Sequence, residues 1–219
     1  EIYRLLRYIK FEGKNIDEDS ILRYYNISIS KFGFSYDEND NEQNYKKELK
    51  DIKTSDEKIA WIDEYVKELK NAFVEFQTFK NLDSTFGKYL QYFQMWEVYP
   101  FILKAYRLFR NDENKAEKLE RVFQALEIIA FRHRLTKRGA SLSSRLNSVI
   151  KDFDNVDSLL KGLQEICSEK ALYWSDSEII SNSLIVIYRN YDNEKDKRQS
   201  ALPYLLMRYE NALRDKDAK

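Results

Sequence analysis

Residues 54–76, TSDEKIAWIDEYVKELKNAFVEF, set Ile59, Ile62, Val66, Leu69, Phe73 and Phe76 at alternating spacings of three and four. That period lines all six along one face of an α-helix. A strand cannot do the same, because its side chains change face at every residue. The start is equally marked: Thr54 followed three residues later by Glu57 is a capping box, in which each side chain satisfies the other's backbone N–H. An apolar stripe this long has to be covered. Core packing is therefore expected for all six residues, with a coiled-coil seam as the alternative.

The rest of the chain repeats the pattern in shorter pieces. Only five glycines and two prolines interrupt 219 residues, which favours long helices and excludes an all-β fold. EIYRLLRYIKFEG carries a helical apolar face and stops at Gly13, and a second short helix is expected from about Asp17 to Ile29. NISISKF alone reads as extended. Asp37 to Asn44, acidic and rich in asparagine, reads as an exposed loop. Asp83 and Ser84 cap a helix over STFGKYLQYFQMW, and Pro100 suits the first turn of PFILKAYRLF. The aromatics here, Phe86, Tyr89, Tyr92, Phe93, Trp96, Tyr99, Phe101 and Tyr106, are dense enough for a base-stacking surface, but their helical spacing favours a core.

Asn114 and Glu117 open a helix with Leu119, Val122, Phe123, Leu126, Ile129 and Ala130 facing inward. After a stop at Gly139, Leu142, Leu146, Val149, Ile150 and Phe153 define the next, and Leu159, Leu160, Leu163 and Ile166 the helix from about Val156 to Ser168. Ser175 and Glu178 form a second capping box before IISNSLIVIYRNY, and ALPYLLMRYENALR, with Pro203 in its first turn, closes the chain. The expected fold is an all-α, multi-helix, bundle-like domain, either one body or two helical lobes meeting between about residues 154 and 172. Residues 1–54 form the N-terminal short helices and acidic loop, 55–153 the central helical domain, and 154–219 the C-terminal helices.

Basic and acidic residues balance at 37 each, so the whole-molecule field announces neither nucleic acid nor acidic lipid, and any such partner needs a local patch. Cys167 has no second cysteine to bridge, and His133 is the only histidine, so neither a disulfide nor a zinc set can form; this fits a reducing cytoplasm. No run of 18 apolar residues marks a membrane helix, and the N-terminus lacks a signal-peptide layout. The chain opens on Glu1 rather than methionine, which fits a piece of a longer protein. Its scattered glycines make no phosphate loop, and there is no G-x-S-x-G elbow. His133 lacks the upstream arginine that helical ribonucleases of the HEPN type require. Cys167 lies on the apolar side of its helix, with only Lys170 as a positive neighbour. No catalytic residue and no metal ligand is assigned.

One stretch breaks the charge balance. AFRHRLTKRGASLSSRLNSVIKDF, residues 130–153, holds Arg132, His133, Arg134, Lys137, Arg138, Arg145 and Lys151 against a single acid, Asp152. The pattern reads as a helix end, a turn and a second helix. Arginine forks beside a helix start, with Ser141, Ser143 and Ser144 as further donors, would seat backbone phosphates without reading bases. The competing reading is structural: cations near a helix C-terminus complement its dipole, and some could pair with acids such as those between Asp37 and Glu57.

LEIIAFRHRLTKRGASLSSRLNSVIKDF also resembles the helical segment of GmrSD-type modification-dependent restriction endonucleases, in which a basic helix end leads into a-L-x-x-R-L-N. YLQYFQMWEVYPFILKAY is similar to that family's preceding helix pair. The C-terminal match rests on Tyr173, Trp174, Ile187, Tyr188, Tyr204, Leu205, Leu206, Tyr209, Glu210, Asn211 and Leu213. The resemblance spans roughly residues 55–215 and implies a role in bacterial defence against phage DNA. The family's D-G-Q-Q-R motif and His-Asn-His nuclease motif are absent. The resemblance therefore implies the helical part joining nucleotide-using and nuclease domains, with no cofactor in this chain and with the nucleotide and divalent metal held by those other domains. It implies packing roles for Trp174, Tyr188 and Tyr209, and DNA and the two domains as partners, with no membrane.

Overall fold

The structure, a computed structural model, describes residues 18–35, 41–136, 142–168, 175–179, 181 and 201–217. It is all-α. Its helices are α1 (Glu18–Ile29), α2 (Asn41–Leu49), α3 (Ser55–Lys80), α4 (Thr85–Phe93), α5 (Tyr99–Leu108), α6 (Lys115–Thr136), α7 (Leu142–Asp152), α8 (Val156–Ser168) and α9 (Ala201–Asp217). Two 3₁₀ turns, Gly33–Ser35 and Trp96–Val98, lie between them. No helix among the described residues is long and apolar enough to cross a membrane.

The centre is α5, entered through Pro100 in its first turn, where the missing N–H costs nothing. Every residue from Tyr99 to Tyr106 is buried, so the helix is enclosed on all sides. α1, α3 and α6 surround it, α4 lies along α6, and α8 bridges α6 and α7. Ring contacts knit the inner layer: Tyr99 meets Phe76 edge-on at 5.3 Å and Tyr24 at 5.2 Å, and Phe79 reaches Phe123 at 5.5 Å. The dense aromatics of this region are thus core rather than a stacking surface. One continuous apolar cluster runs from Ile21 on α1 to Tyr204 on α9. Burying each large side chain contributes roughly 2–3 kcal/mol, offset by the entropy of ordering it.

Several expectations hold in detail. Thr54 and Glu57 make both halves of their capping box, and Ser84 caps α4 by accepting from the Gly87 N–H at 2.9 Å. At Ser175 the second box forms as well, with the Ser175 N–H donating to Glu178 at 2.8 Å. The inward residues of α6 and of α7 are buried as the spacing required.

Other expectations are corrected. Of the α3 stripe, Phe73 and Phe76 are buried and Leu69 packs against the core, whereas Ile59, Ile62 and Val66 are 57%, 46% and 44% exposed. The first turns of α3 dock by a neighbouring face, because Tyr65 packs on Tyr25 of α1 and Tyr45 of α2 while Trp61 stacks on Tyr65. NISISKF is not extended: α1 runs through Ile29, and the Ser28 hydroxyl back-bonds to the Tyr25 carbonyl at 2.6 Å. Asn41 to Asn44 are helical rather than loop, and Asn44 is buried. α4 stops at Phe93, short of Trp96, because Gln94 adopts a left-handed cap at φ 50°. Leu160 faces outward, as does Tyr209 at 65% exposure, so Tyr209 is not a packing residue. The helix expected over residues 1–13, the stop at Gly139, and Trp174 and Tyr188 lie outside the described residues.

α9 is held to α6 by a buried polar contact. Glu127 is 1% exposed, its Oε1 accepts the Tyr204 hydroxyl, Arg208 Nε stands 3.6 Å away, and its Oε2 has no hydrogen-bond partner. Burial pushes this carboxyl up to about 7, and Arg208 offsets only part of that. Between its ordinary 4.5 and about 7, the folded chain keeps a proton that the unfolded chain has released. Stability is therefore lost as pH rises through that window, by up to roughly 3 kcal/mol. Glu127→Gln keeps the acceptor for Tyr204 and removes the titration. Urea denaturation from pH 4.5 to 8 should show wild type losing stability relative to this variant, and parallel curves would show that Glu127 ionises freely in the fold.

Candidate nucleic-acid interface

The described part of the basic run lies on the end of α6 and on α7. Arg132 and His133 are half-buried near the end of α6, and Arg134 lies in its last turn. Lys137 and Arg138 fall outside the described residues, and Arg145 and Lys151 are exposed on α7. Arg132 is 19% exposed and pairs through Nη2 with Asp176, on the turn capped by Ser175. Its guanidinium also faces the Cys167 thiol, which burial pushes above its ordinary pKa, away from the reactive thiolate.

α7 places its apolar side, Leu142, Leu146, Val149 and Ile150, in the core, so its polar side must face out. Ser144, Arg145, Ser148, Lys151 and Asp152 are all exposed. α8 comes close because Gly162 has no side chain: a Cβ there would stand 2.9 Å from Val149 Cγ1. Asn155 starts α8 by accepting from the Ser158 N–H at 2.9 Å, while Ser158 Oγ accepts from the Asp154 and Asn155 N–H groups. Between the two helices runs a polar groove of about 610 Å³, lined by Ser144, Arg145, Ser148, Asp152, Ser158, Lys161 and Glu165 among others.

The groove offers hydroxyl donors and two cations, Arg145 and Lys161, against two acids, Asp152 and Glu165. Such a surface can hydrogen-bond a phosphate backbone but has weak net attraction of its own. Among the described residues no group of histidine, cysteine and acidic side chains is arranged to hold a metal ion.

Two residues beside this surface act on the fold, and sequence reasoning assigned neither role. Asn147, in the R-L-N triplet, accepts the Phe34 N–H at 2.9 Å and donates to Ser35 Oγ at 3.4 Å, tying the Gly33–Ser35 turn to α7. Gly33 makes this approach possible: it sits at φ 54°, and a Cβ would stand 2.5 Å from Asn147 Oδ1. Lys104 on α5 is 9% exposed and donates to the Ile150 carbonyl at 2.6 Å, satisfying the C-terminal end of α7. A single lysine inside the apolar run PFILKAY was the available signal for it.

Compared with protein-family models, curated proteins and solved structures, the chain gives no match.

The structural role of Asn147 separates it from its exposed neighbour. Asn147→Ala should cost about 1–2 kcal/mol by stranding the Phe34 N–H, while Ser148→Ala should stay within about 0.5 kcal/mol. Chemical denaturation of the two variants checks this, and equal midpoints would remove the tether argued for Asn147.

Proposed function

We propose that this chain is the non-catalytic helical portion of a GmrSD-type, nucleotide-dependent restriction endonuclease that acts against foreign, phage DNA. In this reading it joins nucleotide-using and nuclease domains and touches the DNA backbone through the polar side of α7. The observation that carries the DNA contact is the exposure of Ser144, Arg145 and Ser148 along one side of α7. The ordered resemblance of the segments from YLQYFQMW to YENALR supports the family, and the all-α fold accords with a connecting role. Nucleotide and divalent metal would belong to the other domains.

The test is binding of fluorescent duplex DNA across a salt series, with the chain compared to a variant carrying Ala at Arg134, Lys137, Arg138 and Arg145. If each cation neutralises one phosphate, the slope of log affinity against log salt flattens by about 3 to 4, from roughly 0.9 per contact. Wild-type binding without salt dependence would sink the backbone contact.

A second reading, an α-helical protein-interaction scaffold with no DNA role, is favoured by one feature: Ile59, Ile62 and Val66 stand exposed on the first turns of α3. Size-exclusion chromatography with light scattering checks it. A self-associating scaffold should become more monomeric in Ile59→Ser/Ile62→Ser, whereas a wild-type chain that is already monomeric at high concentration counts against self-association through this face.

A further inference from the structure

A cavity of about 470 Å³ lies between α1, α2 and α3, away from the basic surface. Its size falls in the range of small-molecule sites. A closed ring of hydrogen bonds fixes its wall. Asn26 Nδ2 donates to Tyr45 Oη at 3.2 Å, and Tyr65 Oη donates to Asn26 Oδ1 at 2.6 Å. With both those protons placed, the 2.7 Å contact between the tyrosines runs from Tyr45 to Tyr65. Trp61 stacks on Tyr65 at 5.2 Å with the planes 17° apart, and Tyr25 and Tyr45 lean on the same ring. The cavity thus has rigid aromatic walls before any ligand arrives.

Its polar groups divide into two kinds. Glu48, Glu64 and Glu68 each have a partner: Ser30 at 2.7 Å, Lys67 at 3.3 Å and Arg110 at 2.6 Å respectively. A carboxylate with one partner still has acceptor sites left. Arg107 and Tyr25, by contrast, line the cavity with no hydrogen bond from guanidinium or hydroxyl. Tyr25 is only 3% exposed, and burial pushes its phenol well above its ordinary pKa, so it remains a proton donor. The Tyr25 hydroxyl is open to the cavity rather than sealed in the core, and it lines the same cavity as an arginine fork suited to a carboxylate.

We propose that this cavity binds a small amino-acid-type zwitterion with an aromatic or bulky apolar body. Its carboxylate meets Arg107 and Tyr25, its ammonium meets the carboxylates of Glu48 and Glu64, and its body lies against Trp61 and Tyr65. Neither charge alone suits the site: an anion without an ammonium faces three glutamates, and a cation without a carboxylate leaves Arg107 and Tyr25 unmet.

Calorimetric titration of the full chain with L-phenylalanine, 2-phenylethylammonium and 3-phenylpropanoate varies the charges and keeps the ring. Phenylalanine should bind at least tenfold more tightly than either single-charge analogue. Arg107→Gln should erase its advantage over 2-phenylethylammonium while leaving that amine's affinity unreduced. Trp61→Ala, at a half-exposed position, should weaken all binding while the melting temperature stays close to wild type. Equal affinity for phenylalanine and the amine, preference for 3-phenylpropanoate, or no binding of phenylalanine to the wild-type chain would each overturn the assignment.

Discussion

Enclosure of α5 on every side is the constraint from which the remaining architecture follows. Its first eight residues, Tyr99 to Tyr106, have no solvent face and need neighbours all round, and α1, α3 and α6 supply them with Tyr24, Phe76, Phe79 and Phe123. Lys104 cannot escape this arrangement, since its stem is buried with the helix. Burial lowers its pKa, Asp154 and Asp152 offset part of that, and its Nζ donates to the last carbonyls of α7. A polar residue in the central helix thereby fixes where α7 ends, and α7 in turn fixes the groove along α8.

α3 shows why a periodic stripe predicts a helix better than it predicts a neighbour. The spacing of Ile59, Ile62, Val66, Leu69, Phe73 and Phe76 places them correctly on one face. That face meets the core only in the second half of the helix. In the first half, Tyr65 packs on Tyr25 and Tyr45 with Trp61 stacked on it, and its hydroxyl joins Asn26 and Tyr45 in a hydrogen-bonded ring. The gain from that ring outweighs continuing the aliphatic seam, so the aromatic face docks and three aliphatic residues remain outside. Hydrophobic periodicity carries no information about such a competition, because it treats tyrosine and isoleucine alike.

Local signals in the sequence were reliable where one residue decides the outcome. The capping boxes at Thr54 and Ser175, the Ser84 cap and Pro100 at the start of α5 all act within four residues, and all are present. The α4 stop was not legible, because Gln94 takes a left-handed conformation that usually signals glycine or asparagine. Nor was the tether between Asn147 and the Gly33–Ser35 turn, whose partners are 113 positions apart. The same limit governs the candidate sites. The basic run was visible as composition, yet only the fold separates Arg132, paired with Asp176, from Arg145 on the groove. The aromatic cavity draws on α1, α2, α3 and, through Arg107, α5, and left no trace in any one of them.

α9 illustrates how a single side chain can carry an attachment. Tyr204 enters a cluster of Tyr89, Phe93 and Phe131 with ring centroids 5.3, 4.7 and 4.9 Å away, and its hydroxyl reaches Glu127. Asn211, two turns later, donates to Tyr89 Oη at 2.6 Å, while Leu206, Tyr209 and Leu213 face outward. The apolar stabilisation of this helix on α6 is therefore concentrated near Tyr204, where the one buried carboxyl oxygen without a hydrogen-bond partner among the described residues, Glu127 Oε2, also lies. Ionising Glu127 creates a buried negative charge that Arg208, 3.6 Å away and 40% exposed, neutralises only in part. The cost falls on the contact that holds α9, whereas Glu75, the carboxyl that burial also raises beside α5, keeps a hydrogen bond from Arg110. Loss of α9 from α6 should thus precede loss of the core as pH rises past neutrality, because the electrostatic penalty and the narrow apolar attachment coincide at the same residue.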